Sequence, residues 1–369
     1  MKVSVITMHN YPNYGSVLQA LATQEKLGEY ADEVEIIDYS GGDSTVGRNM
    51  IKYMSIGFGA NPVKAFVKLP VRLRQRTVYD GFARRYLNLT ARRYTTDKDF
   101  TEFAIESDIY CTGSDQVWNP FFDENMPFFL NFIPAGKRKF AYAVSFGNYM
   151  EERLSPVQAD RVKKYVDQYE NISVREERGL KILQEQLGYT DAVQLVDPTL
   201  AVTPEFWRNL APKSRIDRDY ILLYKLGKEK PFESFAKGLS GRTSLPVVRF
   251  CSQSFGQLAD RGCRKILLPP VLDFISLIDN AKYIVTDSFH GAALAMLLNT
   301  EPIVYREEYD GDRISGFLRL VGHEYRYIKD CDDFGVIDRP TDFDHVNVVL
   351  ARERERVASF LGKVFGHAV

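Results

Sequence analysis

An α/β fold with two doubly wound domains is predicted by three observations. Short apolar runs of strand character alternate with helix-period segments along nearly the whole chain, a pattern that makes parallel sheets covered by helices on both faces. The chain has 369 residues, too many for one ordinary core, and two domains are the natural division. The alternation also pauses near residues 201–218 and then restarts. The expected units are a first domain at 1–205, a second at 206–342 and a closing helix at 343–369 that returns to brace the first.

The elements follow in order. Val3–Thr7 reads as strand, Ser16–Gly28 as helix and Glu33–Asp38 as strand. Asp108–Thr112 and Lys139–Ser145 are further short apolar runs, and Ile172–Val174 is a strand between the helical segments Pro156–Tyr169 and Glu176–Leu187. After Asp197-Pro-Thr-Leu200 come strand Tyr220–Tyr224, helix Pro231–Leu239 and strand Pro246–Phe250. Helix Val271–Asn280, strand Tyr283–Thr286, helix Ser288–Leu298, strand Pro302–Tyr305 and the long helix Phe343–Phe365 complete the series. No internal repeat is visible.

Composition narrows the function classes. Hydrophobic residues make up 45% and charged residues 26% of the chain, the balance of a globular protein. A formal net charge of −1 argues against a general nucleic-acid binder, which carries a basic surplus. Cys111, Cys251, Cys263 and Cys331 are scattered without zinc spacing, so a reducing compartment and no metal site are expected. The chain enters a strand from its first residues and has no apolar stretch near the ~20 residues of a membrane span. A cytoplasmic protein is expected.

Ligands of open parallel sheets bind beyond the carboxyl ends of the strands, and four unusual segments lie there. In Thr286-Asp-Ser-Phe-His-Gly291, Ser288 or Asp287 can cap the following helix, whose N-terminus attracts anions, with His290 and Gly291 beside it. A capped helix with a core histidine is the plainer reading. In His9-Asn-Tyr-Pro-Asn-Tyr-Gly-Ser16, Asn13 belongs to the turn, Gly15 permits close backbone approach and Ser16 can cap a helix. An ordinary turn does the same, and the spacing is not that of a dinucleotide loop. In Thr112-Gly-Ser-Asp-Gln-Val-Trp-Asn-Pro120, Gln116 and Asn119 crowd around Trp118 in a sugar-stacking type of surface, with Asp115 a candidate general base; the alternative is a structural Asx turn. Arg175 closes a strand in Ser173-Val-Arg-Glu176 and suits bidentate contact with phosphate or carboxylate, or else an intrahelical ion pair. Arg306 and Arg313, beyond the Pro302–Tyr305 strand, are candidates for a second cation near His290.

Together these segments resemble the polysaccharide pyruvyltransferase family. The resemblance runs through Asn13-Tyr-Gly-Ser-Val-Leu-Gln-Ala20, Gly113-Ser-Asp-Gln-Val-Trp-Asn119, Tyr142-Ala-Val-Ser-Phe-Gly147, Ser173-Val-Arg-Glu176, Asp197-Pro-Thr-Leu200 and Asp287-Ser-Phe-His-Gly291, in order. It implies two Rossmann-like domains in a GT-B-like arrangement, the first on the acceptor side and the second on the donor side. It implies phosphoenolpyruvate as donor substrate, no cofactor, and a pyruvate ketal on a sugar of a bacterial capsule or exopolysaccharide. His290 and Arg175 match the family's donor-site histidine and arginine, and Arg313 lies near a lysine of better-studied members. Where some branches carry Arg-Leu before the histidine, this chain has Ser288-Phe289. The resemblance and the residues assign Ser288, Gly291, Arg306 and Arg313 to the donor, and His9, Asn13, Gly15, Ser16, Gln116, Trp118 and Asn119 to the acceptor.

Between Lys64 and Arg93 nine cations face a single acid, Asp80, with apolar residues interleaved. Such a stretch suits peripheral contact with anionic lipid or a polyprenyl-pyrophosphate-linked acceptor, or else a solvated helix face. Two rival functions share the architecture: a GT-B glycosyltransferase using a nucleotide-sugar, and a non-catalytic glycan-binding protein.

Overall fold

The structure, a computed structural model, describes residues 1–40, 62–119, 126–147, 154–216, 219–227, 231–252, 263–305 and 313–366; for 62–69, 72 and 231 the backbone alone is described. It contains two parallel sheets of six strands. The first comprises β1 (Lys2–Ile6), β2 (Glu33–Ile36), β3 (Ile109–Thr112), β4 (Arg138–Val144), β5 (Asn171–Val174) and β6 (Val193–Gln194), in the order β2-β1-β3-β4-β5-β6. The second comprises β7 (Ile221–Tyr224), β8 (Val247–Cys251), β9 (Arg264–Leu267), β10 (Tyr283–Thr286), β11 (Glu301–Tyr305) and β12 (Tyr327–Ile328), in the order β12-β11-β10-β7-β8-β9. In each sheet the order reverses beside the first strand, between β1 and β3 and between β7 and β10. Those switch points are where doubly wound sheets open a crevice. Strands β1, β3, β7 and β11 are buried almost end to end, as sheets covered on both faces require.

Helix and strand positions follow the sequence reading within a few residues, with informative exceptions. The first helix spans Tyr14–Gly28 and begins earlier than expected, because Asn13 and not Ser16 is its cap: the Asn13 side chain accepts the N–H groups of Gly15 and Ser16. Strands β6, β9 and β12 escape the sequence reading. Two of them have only two residues, and β9 is an edge strand of sequence Arg-Lys-Ile-Leu whose charges break the apolar run.

The two halves share one hydrophobic core. Tyr14 stands edge-on to Tyr79 and Phe250, with ring centroids 5.3 and 4.7 Å away, and donates its hydroxyl to the Pro269 carbonyl at 2.7 Å. The Pro62–Tyr86 helix buries Val71, Val78, Tyr79 and Phe82 in this core, each contributing roughly 1.5–3 kcal/mol. These four apolar side chains therefore pack between the halves. Some of the described cations of the 64–93 stretch have partners. Arg76 pairs with Asp80 at 3.3 Å, Arg93 with Asp38 at 2.9 Å, and Arg92 lies over the Phe103 ring. Lys64, Lys68 and Arg72 are among the residues whose side chains are not described. No helix among the described residues is long and apolar enough to cross a membrane.

The closing Phe343–Phe365 helix packs against the first sheet's elements. Phe365 stacks on Tyr30 at 5.5 Å and meets Phe140 edge-on, Arg138 Nη2 donates to the Val364 carbonyl at 2.7 Å, and Arg356 Nη2 donates to the Gln194 carbonyl at 2.9 Å. Gly366 ends the helix with φ of 73°, the left-handed cap that glycine adopts without strain.

Candidate active site

The carboxyl ends of β3, β5, β6 and β10 deliver Asp115, Arg175, Asp197 and His290 to one buried cluster. Arg175 Nη1 donates to Asp197 Oδ2 at 2.5 Å, its Nη2 lies 3.5 Å from Asp115 Oδ1, and its Nε lies 3.9 Å from Glu176 Oε2. His290 Nε2 lies 3.4 Å from the same Asp197 oxygen. Asp115 Oδ2 accepts the Ser16 hydroxyl at 2.5 Å. Asp115 holds φ of 75°, a left-handed conformation that Asp tolerates better than most residues and that sites of function often retain. All five side chains of this cluster are almost wholly enclosed.

Local sequence explains each position. Asp197 precedes Pro198 and caps a short helical turn, its Oδ1 accepting the N–H and hydroxyl of Thr199, so only Oδ2 is presented to Arg175 and His290. Ser288 caps the Phe289–Leu297 helix by accepting the Gly291 N–H, while Asp287 accepts the N–H groups of Leu226 and Gly227. This fixes the turn and holds His290 in the first turn of a helix that points toward the first half of the chain.

The electrostatics are those of a buried mixed cluster. Burial alone would raise the Asp197 carboxyl, but the His290 imidazole and the Arg175 guanidinium hold it far below the usual carboxylate range. Asp115 is likewise penalised by burial yet lowered overall by Arg175, His290, Ser16 and Arg313. Glu176 goes the other way: burial outweighs Arg175 and Arg313 and raises its carboxyl above the ordinary value. Its Oε1 accepts the Phe146 N–H at 2.8 Å, whereas its Oε2 has no hydrogen-bond partner among the described residues. The Arg175 guanidinium is held charged by its three carboxylate neighbours.

Beside the cluster opens a cavity of about 220 Å³ lined by Arg175, Asp197, Phe289, Arg313, Arg319 and Glu353, among others. Two guanidiniums lie near the Phe289 ring, with Arg175 Cζ 4.7 Å and Arg313 Cζ 5.9 Å from its centroid. Two cations held at the edge of one cavity suit a small ligand bearing two anionic groups.

Several residues read as site candidates serve the framework instead. Trp118 is no sugar platform: it is 1% exposed, its ring is stacked on Phe129 at 5.1 Å, and its Nε1–H is donated to the Phe128 carbonyl. His9 is 1% exposed and sits with Asp38 at 3.1 Å, in a group with Arg93 that none of the cluster residues joins. Gln116 and Asn119 bond to each other at 3.3 Å and close around Gly147, where a Cβ would fall 2.5 Å from the Asn119 amide. Ser16 serves Asp115, Asn13 serves the helix cap, and Ser288 serves Gly291. Gly291 itself is glycine for packing, because a Cβ there would come 2.8 Å from Thr286 Oγ1 and 3.2 Å from Tyr224. Arg306 lies outside the described residues.

Gly15 has the sharpest steric requirement. A Cβ on it would fall 2.1 Å from His290 Nδ1, so the backbone of the first half rests directly on the imidazole of the second. Gly15→Ala is therefore expected to displace His290 or part the halves, and to cost roughly 10²-fold in kcat/KM, as a small misplacement of a reacting group does. Wild-type kcat/KM in this variant would show that the contact does not shape the active geometry. Asp197, Glu176 and Phe289 are the residues that sequence reasoning passed over as individual participants. Asp197 had a signal, an Asp-Pro-Thr cap after an apolar pair, but the two-residue β6 before it was too short to mark the strand end.

Comparison with known proteins decides the family. The family model for polysaccharide pyruvyl transferase matches residues 13–309, a span that contains every cluster residue. The chain belongs to the polysaccharide pyruvyl transferase family. It is accordingly a member of a transferase family, with a polysaccharide as the acceptor that family implies. A search of curated protein sequences finds no match. Among solved structures, UDP-GlcNAc 2-epimerase from Methanocaldococcus jannaschii is similar with a TM-score of 0.50 and 14% identity, covering 98% of this chain and 100% of that one. The same archaeal epimerase in complex with UDP-GlcNAc and UDP is similar with a TM-score of 0.50 at 13% identity, with the same coverage. A Listeria monocytogenes protein provisionally described as a UDP-N-acetylglucosamine 2-epimerase reaches a TM-score of 0.54 at 10% identity, over 100% of this chain and 97% of that one. At such identities the likeness concerns fold: this pyruvyl transferase family member has two Rossmann-like domains in the GT-B arrangement.

Proposed function

We propose that the protein transfers the pyruvyl group of phosphoenolpyruvate to two hydroxyls of one sugar in a bacterial surface polysaccharide or its lipid-linked precursor, forming a ketal. The observation that carries this reading is the buried Arg175–Asp197–His290 cluster at the edge of a cavity that also receives Arg313. Phosphoenolpyruvate bears a phosphate and a carboxylate, and Arg175 and Arg313 supply the two cations that such a donor needs.

The reaction balances without a redox partner. A proton adds to the methylene carbon and converts it to methyl, and one sugar hydroxyl bonds to the adjacent carbon. The bond from that carbon to the phosphate oxygen breaks and the second hydroxyl replaces it; of the two hydroxyl protons released, one replaces the proton spent on the methylene carbon and one leaves with the phosphate, so each pair of sugar hydroxyls yields one ketal and one inorganic phosphate. His290, held in the cluster beside Asp197, is the proton donor. Asp115 is better suited to holding Arg175 and Ser16 than to acting as a base, because its carboxyl is held low. Gly15 and Asp197, which meet the His290 ring, come from the first half of the chain, so the catalytic arrangement is complete only when the two halves are together.

Phosphate release from phosphoenolpyruvate, measured across a panel of free and lipid-linked glycans, tests the reading, with NMR detection of the new ketal methyl. Turnover of a nucleotide-sugar on the same panel with no phosphate release from phosphoenolpyruvate would replace it with a glycosyltransferase.

A further inference from the structure

Resting on the reading of the protein as a transferase to sugar hydroxyls, we propose that Glu353 of the closing Phe343–Phe365 helix is the general base for the acceptor. Each hydroxyl that bonds to the pyruvyl carbon sheds a proton, so the site needs a group to accept it. His290 is spent as the proton donor. Asp115, although penalised by burial, is held low by Arg175, His290 and Ser16, and it serves Arg175 and Ser16 instead.

Glu353 breaks the pattern of its own helix. Val346, Leu350, Val357, Leu361 and Val364 are buried down one side of it at helical spacing, and Glu353 stands in that stripe where an apolar residue is expected. Its side chain is only 7% exposed, whereas Arg352 and Glu355 beside it are exposed. Burying a carboxylate there costs free energy that a leucine would not, and local violations of this kind concentrate at functional sites. Arg356, one turn on, steadies the group: its Nη1 donates to Oε1 at 2.9 Å and Oε2 at 2.8 Å, and its Nη2 donates to the Gln194 carbonyl.

Glu353 lines the same cavity of about 220 Å³ as the donor cations Arg175 and Arg313. Among the described residues two other carboxylates line it, Asp197 and Glu177. Asp197 is fully engaged, Oδ1 by the N–H and hydroxyl of Thr199 and Oδ2 by Arg175 and Ser114. Glu177 is half-exposed and paired with Lys181 at 2.9 Å. Glu353 alone of the three is enclosed and yet accepts a single N–H group on each oxygen, which leaves each oxygen a lone pair for a sugar hydroxyl.

In each of the two additions a sugar O–H bond breaks, its electron pair forms the O–C bond to the pyruvyl carbon, and the proton passes to a Glu353 oxygen. The first proton is handed to the departing phosphate, and the second returns through solvent to His290. Carboxylate and imidazole both end as they began.

Three variants of the full chain test the assignment, with steady-state phosphate release from phosphoenolpyruvate on the acceptor that wild type uses as the readout. Glu353→Gln keeps the shape and the contact with Arg356 but takes no proton, and should lower kcat by roughly 10²- to 10⁴-fold with KM for phosphoenolpyruvate unmoved. Glu353→Asp keeps a carboxylate and should recover part of that loss. Glu353→Leu completes the apolar stripe and leaves only the half-exposed Arg356 to water, so it should melt no lower than wild type while its kcat falls as far as that of Glu353→Gln. A Glu353→Gln enzyme with wild-type kcat overturns the proposal and leaves the functional reading standing. A Glu353→Leu enzyme that melts well below wild type while Glu353→Gln stays active also overturns it, since the carboxylate then serves only its ion pair. Turnover of a nucleotide-sugar in place of phosphoenolpyruvate sinks the functional reading instead. That transfer also takes a proton from an acceptor hydroxyl, and the same kcat comparison on it then decides for or against the base.

Discussion

His290→Ala is expected to lower kcat/KM for phosphate release from phosphoenolpyruvate by roughly 10²- to 10⁴-fold, the scale of losing a positioned acid. Arg175→Ala should lose at least roughly 10²-fold by removing one of the two donor cations. The two substitutions differ in their structural cost. His290 reaches Asp197 at 3.4 Å through one weak contact, whereas Arg175 is the shared partner of Asp115, Asp197 and Glu176. Thermal melting should accordingly stay near wild type for His290→Ala and fall for Arg175→Ala. A His290→Ala enzyme with wild-type kcat/KM would move the proton donor elsewhere in the cleft.

Asp197→Asn is expected to be the most destabilising single substitution in the cluster, by about 3–5 kcal/mol, because it removes the nearest of the three carboxylates around the buried Arg175 guanidinium, the one that His290 also faces. The exchange keeps the oxygen that accepts from Thr199, so the cap survives, and puts an NH₂ group where Arg175 Nη1 and Ser114 Oγ now meet Oδ2. The pH dependence separates this account from a packing defect. Asp115 and Asp197 are depressed in the folded state, so the stability they confer is present above the unfolded carboxylate value of about 4 and is lost as pH falls below it. Glu176, raised in the folded state, favours the fold below its unfolded value and opposes it as pH rises through the folded one. Wild-type stability from urea unfolding should thus fall steeply below about pH 4, and Asp197→Asn should flatten that limb. A variant with an unchanged acid limb would show that the Asp197 charge is not what the fold relies on.

Much of this was legible in the residues because it depends on local rules. The alternating runs follow from side-chain period, and placing Arg175, Asp115 and His290 at strand ends was enough to bring them together once both sheets were parallel. Trp118 misled because a Trp among polar neighbours looks the same in sequence whether its ring faces solvent or, as here, stacks on Phe129. His9 misled likewise: it follows a strand, but Asp38 from the next strand takes its imidazole. In the basic stretch, sequence alone did not reveal that Val71, Val78 and Phe82 are buried in the core shared by the two halves.

By itself the sequence determined two doubly wound domains, their strand-end loops and the family, since period, capping and motif order are properties of short segments. Only the tertiary structure decided that Asp197 joins Arg175 to His290 and that Gly15 rests on the imidazole. It also decided that Glu353 of the closing helix lines the cavity of Arg175 and Arg313. Those pairings are separated by tens to hundreds of residues along the chain, and distance along a chain says nothing about distance in space until the sheets pack and the halves share a core.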